Sequence, residues 1–171
     1  MARQLWLLRH GDAEPHGTRA DAERRLTERG VGQAHAAGIA LERLQASFDA
    51  ALFSPKTRAR QTAELAAEHW SERQRGLLTV HAPLAGDFDA RQALAKLSGL
   101  PADGRLLLVG HEPDLSGVVG DLTGARPDLK KGGLAVVRLE SAAGGELVVL
   151  LRPRELALIA DGAGGVPVDG D

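Results

Sequence analysis

The fold can be predicted from one short stretch, LWLLRHGDAEP (Leu5–Pro15), in which an apolar run ends abruptly at an arginine, a histidine and a glycine. The apolar part, Gln4–Leu8, shows no alternation, which is typical of a parallel strand that helices cover on both faces. Three later runs have the same character: AALF (Ala50–Phe53), LLTV (Leu77–Val80) and RLLLVG (Arg105–Gly110). These four runs predict four buried strands.

Helical patterns lie between and after the predicted strands. Thr27 and Ser54 are predicted N-caps, whereas Pro55 and Pro113 are predicted first residues of helices. The predicted helices run from Thr27 to Gln45, from Ser54 onward, from Asp87 or Phe88 to about Leu97, and from Pro113 to Gly124. The last of these ends at a glycine, which is a typical helix stop.

Strands that alternate with helices predict right-handed crossovers and an α/β fold, a three-layer sandwich with a mostly parallel central sheet flanked by helices. The segment Leu134–Leu151 adds a predicted β-hairpin with a Gly-containing loop. A length of 171 residues favours a single domain. We expect that domain to cover residues 1–160, followed by a flexible Gly-rich tail over residues 161–171.

Composition excludes several classes of function. The net charge is −2, and the 21 basic and 23 acidic residues are mixed along the chain, so no nucleic-acid or membrane partner is predicted. The absence of cysteine excludes disulfides, thiolate nucleophiles and Cys-ligated metal sites. No apolar run approaches the length of a membrane span or a signal segment, and we therefore expect a cytoplasmic protein.

Charged and titratable residues follow each of the four predicted strands. Because ligands of open α/β sheets bind beyond the carboxyl ends of the strands, we expect five side chains to gather there: Arg9, His10, Arg58, Asp87 and His111. Two guanidinium groups and two imidazoles would repel each other when partly desolvated, so an anion from outside is expected to complete the cluster. Arginine matches phosphoryl oxygens in two-point fashion, and a helix start adds N–H donors. The sequence therefore predicts a phosphate site.

Three motifs occur in this context: LRHG (Leu8–Gly11), SPxxRAxQTA (Ser54–Ala63) and VGHEP (Val109–Pro113). In this order they resemble the histidine phosphatase superfamily, and within it the small SixA-type phosphohistidine phosphatases. The resemblance covers Ala2 to about Leu151. It implies a phosphoglycerate mutase-like fold and a hydrolase that needs neither a metal nor another cofactor.

The resemblance makes His10 the nucleophile that takes the phosphoryl group, with Arg9, Arg58 and His111 around the phosphoryl oxygens. A neutral imidazole can attack phosphorus through one nitrogen while a hydrogen bond at the other nitrogen fixes the tautomer. Phosphoryl transfer then needs in-line positioning and neutralised oxygens. Water is expected to hydrolyse the resulting phosphohistidine.

One segment departs from the larger members of the superfamily, which carry a helical lobe with a glutamate acid after the third strand. The segment His81–Leu97 has room for little more than one helix, so no large helical insertion is predicted. Asp87 is the nearest carboxyl group and is the predicted proton donor. A phosphorylated imidazole leaves with less help from an acid than an alcohol does. This favours phosphohistidine on a protein over small phosphate esters.

Other residues keep two interpretations. Asp21 and Arg24 are predicted to form a loop pair at the pocket mouth, which serves either structure or substrate contact. Asp12 and Glu112 are either acids of turns and helix starts or functional groups. Four histidines have no predicted partner and are expected at the surface or in packing: His16, His35, His69 and His81. The alternative functions are a phosphatase of small phosphate esters and a non-catalytic phosphate-binding module.

Overall fold

The computed structural model describes residues 2–141 and 144–162, and within these residues six strands form one sheet. The strands are β1 (Arg3–Arg9), β2 (Ala50–Phe53), β3 (Leu78–Val80), β4 (Arg105–Gly110), β5 (Leu134–Ser141) and β6 (Gly144–Leu151). They lie in the order β3-β2-β4-β1-β5-β6. β1 to β4 are parallel, whereas β5 pairs antiparallel with both β1 and β6. The predicted mostly parallel sheet is confirmed.

Helices cover both faces of the sheet. They are α1 (Glu28–Arg43), α2 (Thr57–Ala67), α3 (Glu72–Arg75), α4 (Ala90–Ser98), α5 (Asp114–Thr123) and α6 (Pro153–Asp161). Leu5 and Leu7 of β1 pack with α4 and α5, whereas Leu8 packs with α1, α2 and α6. This alternation follows from the two-residue period of a strand. It confirms the three-layer sandwich.

The helix starts differ from the prediction at three positions. Thr27 does cap α1, since its hydroxyl accepts from Gly30 N at 3.1 Å. Ser54, by contrast, does not cap α2, which begins only at Thr57, because the Ser54 hydroxyl group binds Lys56 N at 3.2 Å and a histidine of the site. In the third helix Asp89 is the N-cap, and in the fourth Pro113 precedes the first helical residue.

The hairpin β5–β6 and the helix stop at Gly124, which adopts a φ of +73°, are confirmed. The sequence prediction missed α3 and α6. Of the predicted tail, Asp161 ends α6 and Gly162 follows it, and the remainder lies outside the described residues. The domain limits therefore stay a prediction. Across residues 2–141 and 144–162, no helix is long and apolar enough to cross a membrane.

The loop that follows β1 lies directly against the first turn of α1. Thr27 N donates to Asp12 O at 3.0 Å, and a Cβ atom added to Gly11 would lie 2.7 Å from Gly30 O. A Cβ atom on Gly30 would overlap the carbonyl group of Asp12. Glycine at both positions therefore allows two backbones to touch, and this contact holds the loop after β1 in place.

This contact predicts opposite effects for two glycines of the same helix. Gly30→Ala forces the loop and α1 apart, and we expect it to lower the free energy of unfolding by about 1–3 kcal/mol. Gly32 has no atom within 4 Å of its added Cβ. Gly32→Ala is therefore expected to raise the free energy of unfolding by up to about 1 kcal/mol. Urea denaturation measures the free energy of unfolding of both variants. If both substitutions stabilised the protein equally, the close approach of Gly30 to the Asp12 carbonyl group would be contradicted.

Candidate active site

The carboxyl ends of the parallel strands surround a cavity of about 240 Å³. Four of the five side chains expected at this edge line it: Arg9, His10, Arg58 and His111. Arg9 ends β1, His111 follows β4, and Arg58 is the second residue of α2, which follows β2. The rings of His10 and His111 lie 5.1 Å apart between centroids. The topology thus brings distant segments of the chain to one point.

Hydrogen bonds fix the ring and the backbone of His10. Its Nδ1 lies 2.7 Å from Gly11 O, and because a carbonyl oxygen can only accept, Nδ1 carries the proton. The other ring nitrogen, Nε2, is left with its lone pair and accepts from Arg58 Nε at 3.3 Å. The backbone of His10 is bonded to Gly110 O and to Gly132 N. The arrangement presents Nε2 as the nucleophilic nitrogen.

His10 is neutral at physiological pH. Burial, together with the charges of Arg58, Arg9 and Lys131, lowers its pKa to about 4, although the bond to Gly11 acts in the opposite direction. The lone pair on Nε2 is therefore available without removal of a proton. The cations beside it disfavour a charged imidazolium and favour an anion instead.

His111 is held by Ser54, which follows β2. Its Nε2 lies 2.7 Å from the Ser54 hydroxyl oxygen, whereas its Nδ1 is buried and has no partner among the described residues. Burial and the neighbouring His10 and Arg58 lower the pKa of His111 to about 3. We expected His111 to help neutralise the phosphoryl oxygens, but a neutral ring contributes a hydrogen bond and not a charge.

Arg58 is anchored by Asp21. Arg58 Nη1 donates to Asp21 O at 2.7 Å, and Nη2 lies 3.4 Å from the carboxylate. Lys56 and Arg24 bind the same carboxylate at 3.0 and 2.9 Å, and with Arg58 they hold the pKa of Asp21 far below its ordinary value. The predicted pair of Asp21 and Arg24 is therefore present. Asp21 holds three cations in place, while its contact with substrate stays a prediction.

Arg9 lies on the other side of His10. Its Nη1 donates to Leu129 O at 2.9 Å, while its Nε is buried without a partner among the residues that the structure describes. Lys131 also lines the cavity and lies 3.4 Å from the Asp12 carboxylate. The sequence prediction gave Lys131 no role. The signal was the pair of lysines before Gly132, whose N–H donates to the carbonyl groups of Arg9 and His10.

The structure does not place Asp87 among the described residues that line the cavity. Asp87 is exposed, with a φ of +60°, in the turn that precedes α4. Its assignment as proton donor finds no geometric support and stays a prediction. Glu112 does line the cavity, although one of its oxygens also accepts from Ser116 N at 3.0 Å in the first turn of α5. Glu112 is thus an acid at a helix start that also lines the cavity.

Three of the remaining histidines differ from the expectation. His16 lines the cavity mouth. His35 and His69 contact each other, with 2.9 Å between His35 Nδ1 and His69 Nε2, so the expectation that they have no partner is wrong. His81 packs edgewise against Phe88, as expected for a packing residue.

Comparison with known proteins assigns the family. Residues 5–78 match the histidine phosphatase superfamily, branch 1. An uncharacterized protein of Picosynechococcus sp. (strain PCC 7002) is 31% identical over 163 residues, which cover 90% of this chain and 98% of that protein. The chain belongs to the histidine phosphatase superfamily.

Solved structures of this superfamily have the same fold. The protein histidine phosphatase SixA, complexed with tungstate, matches with a TM-score of 0.78 at 24% identity, over 90% of this chain and 99% of SixA. SixA from Nakamurella multipartitia matches with a TM-score of 0.70 at 27% identity, over 90% and 97%. The alpha-ribazole phosphatase from Shigella flexneri matches with a TM-score of 0.66 at 23% identity, over 88% and 96%. The SixA-like, phosphoglycerate mutase-like fold without a large helical insertion is confirmed.

The two rings of the site are expected to titrate far into the acid range. Ring-nitrogen NMR spectra recorded from pH 7.5 downward should show midpoints near 4 for His10 and near 3 for His111. Substitutions His10→Asn and His111→Asn assign the resonances, and tryptophan fluorescence checks that the protein stays folded. Arg58→Gln should raise the pKa of His10, because a neighbouring cation is removed. A His10 midpoint near the ordinary value of 6.5 would contradict the described environment.

Proposed function

We propose that this protein is a phosphohistidine phosphatase that removes the phosphoryl group from a phosphorylated histidine of another protein, through a covalent phosphohistidine on His10. One observation carries the proposal. The unprotonated Nε2 of His10 faces the guanidinium group of Arg58 at 3.3 Å inside a cavity that Arg9 and His111 also line. A nucleophilic nitrogen beside fixed cations is suited to a phosphoryl group.

The first step transfers the phosphoryl group to the enzyme. The phosphoryl oxygens accept hydrogen bonds from two guanidinium nitrogens. One is Arg58 Nε, which contacts His10 before the phosphoryl group binds, and the other is the unpartnered Arg9 Nε. We assign the Ser54 hydroxyl as donor to His111 Nε2, which places the ring proton of His111 on Nδ1 as a third donor. The bond from His10 Nε2 to phosphorus forms in line as the bond from phosphorus to the substrate imidazole breaks. The electron pair of that bond stays on the leaving ring, which departs as a neutral imidazole because its other nitrogen carries a proton in the phosphorylated substrate.

The second step returns the enzyme to its starting state. Phosphorylation makes the His10 ring cationic, and the bond from Nδ1 to Gly11 O stabilises this form. Water then attacks phosphorus, the bond to Nε2 breaks with its electron pair returning to the ring, and inorganic phosphate leaves with both protons of the water. His10 regains its lone pair. The positive charge comes from arginine side chains, so the proposed reaction requires no metal.

Two carboxylates at or beside the cavity support phosphohistidine as the substrate: Glu14 lines it, and Asp21 binds Arg58. Glu112 also lines the cavity, but one of its oxygens accepts from Ser116 N. The pKa values of Glu14 and Asp21 are lowered, chiefly by the bond of Glu14 to the Arg25 backbone and by the bond of Asp21 to Lys56. Both side chains are ionised and cannot donate a proton at neutral pH. An imidazole leaves with less help from an acid than an alkoxide. The structural similarity to SixA, a protein histidine phosphatase, supports the same choice.

A phosphatase of small phosphate esters is the second candidate, because alpha-ribazole phosphatases share this fold. Fold alone does not select between substrates. A non-catalytic module that binds phosphate is the third, and it would form no covalent intermediate. Two experiments separate these possibilities.

The covalent intermediate can be trapped. The protein is incubated with a radiolabelled phosphohistidine protein and then quenched in alkali, which preserves the acid-sensitive bond from phosphorus to nitrogen. Wild-type protein should retain label. His10→Ala should retain none and lose at least about 1,000-fold in kcat, because the nucleophile is absent. His35→Ala, a histidine outside the cavity, serves as the control and should behave like wild type. The buffer contains EDTA, since the proposed reaction uses no metal. Label retained by His10→Ala would overturn the assignment.

Substrate preference tests the leaving group. We expect kcat/KM for a phosphohistidine protein and for phosphoramidate to exceed that for sugar phosphates by at least about 100-fold, because only the sugar must leave as an alcohol. Release of inorganic phosphate from all three, measured at the same pH, gives the comparison. A clear preference for sugar phosphates would reject phosphohistidine as the substrate.

A further inference from the structure

A second concavity adjoins the cavity of His10. It is a groove of about 530 Å³, and it shares Arg9 and Lys131 with that cavity. Its other cationic side chains are Arg29, Lys130, Arg152 and Arg154. We call these six residues the basic groove. Because Arg9 and Lys131 belong to both concavities, a ligand held at His10 lies beside the groove.

Four separate parts of the chain build the basic groove, and Arg9 at the end of β1 is one of them. Arg29 belongs to the first turn of α1, Arg154 to the first turn of α6, and Lys130 to the segment before β5. The start of a helix adds a further positive potential to that of its side chains. The whole chain carries a net charge of −2, so this local excess of cations does not reflect a basic protein.

Internal ion pairs leave much of this charge uncompensated. Lys130 pairs with Asp128 at 2.9 Å, and Lys131 pairs with Asp12 at 3.4 Å. Arg154 approaches an acid only at 3.9 Å. For Arg29 and Arg152, no ion pair within 4.0 Å occurs in the part of the chain that the structure describes. Arg29 and Arg152 interact with Asp12 and Asp128 only at longer range. The two lysines are held in ion pairs, whereas the three exposed arginines keep donors that a ligand can reach.

The form of the groove selects the kind of anion. A single phosphate is bound by donors that converge on one point, as they do around His10. Arg29 of α1 is exposed, as are Arg152 and Arg154 at the start of α6, so these arginines suit several anionic groups at some distance from one another. A guanidinium group binds a carboxylate in two-point fashion. Consecutive acidic side chains of a polypeptide fit this pattern.

We propose that the basic groove binds a carboxylate-rich segment of the phosphorylated protein, next to its phosphohistidine. This inference rests on the proposed function, and it adds a feature by which the enzyme distinguishes its protein substrate. Attraction between exposed charges is screened by salt, so the preference for acidic substrates declines as ionic strength rises. Transfer at His10 itself does not depend on Arg29, Arg152 and Arg154.

The test uses two peptides that contain one histidine, flanked either by glutamates or by glutamines. Fluorescence anisotropy measures binding of the unphosphorylated peptides, and release of phosphate measures hydrolysis of the phosphorylated ones. The variant combines Arg29→Gln, Arg152→Gln and Arg154→Gln. The control combines Arg73→Gln, Arg91→Gln and Arg105→Gln, an equal change of charge at residues that do not line the groove.

We expect wild type to bind the acidic peptide at least about tenfold more tightly than the neutral one, and to show the same ratio in kcat/KM. The groove variant should bring both ratios close to one, while the control keeps them. Circular dichroism verifies that both variants are folded. If the control lost the preference for the acidic peptide as much as the groove variant, the effect would be one of net charge alone, and the inference would be overturned.

The binding and hydrolysis measurements distinguish a failure of the basic groove from a failure of the proposed function. Equal binding of the two peptides by wild type overturns the basic groove as a docking site, whatever the hydrolysis. Tight binding of the acidic peptide that only the groove variant loses, without hydrolysis of either phosphopeptide, sustains the groove and rejects the proposed function. Tighter binding of inorganic pyrophosphate than of the acidic peptide, lost in the groove variant, would assign the groove to a small anion and also overturn the inference.

Discussion

The hydrogen bond from His10 Nδ1 to the Gly11 carbonyl group determines what the rest of the site can do. It fixes the proton on one ring nitrogen and leaves the other as the nucleophile. The Gly11 peptide must therefore keep its orientation, and the close approach of Gly11 to Gly30 provides this. A glycine of α1, distant in sequence from His10, thus helps to set the tautomer on which nucleophilic attack depends.

Burial and the neighbouring cations oppose this bond in their effect on the pKa of His10, and they prevail. In a hydrolase with a classical triad, a carboxylate stabilises the charged form of histidine. Here burial and cations lower the pKa of His10, and the carboxylate of Asp21 is directed to Arg58, Lys56 and Arg24. Asp21 thus holds these cations in place without neutralising the positive charge beside the nucleophile. The site is most stable when an external anion supplies the missing negative charge.

The sequence was sufficient for the parallel strands and for four of the residues that line the cavity, because apolar runs define parallel strands and the ends of such strands meet. It was not sufficient for Ser54, which had the appearance of an N-cap but instead bonds His111 from across the sheet edge. Lys131 is brought to the cavity by the turn before β5, and its only signal in the sequence is the pair of lysines before Gly132. The sequence did contain a signal for the missed helix α6, because Pro153 precedes apolar residues at helical spacing.

The environment of the leaving group links the catalytic site to the choice of substrate. With Glu14 and Asp21 ionised and Glu112 bonded to Ser116 N, the cavity favours groups that leave without strong protonation. This restricts the type of chemistry more than the identity of the substrate. Many phosphorylated histidines satisfy the same condition. Discrimination among proteins then has to come from contacts outside the cavity, where exposed charges affect encounter and orientation more than the chemical step. The uncompensated arginines beside Arg9 lie where such contacts form.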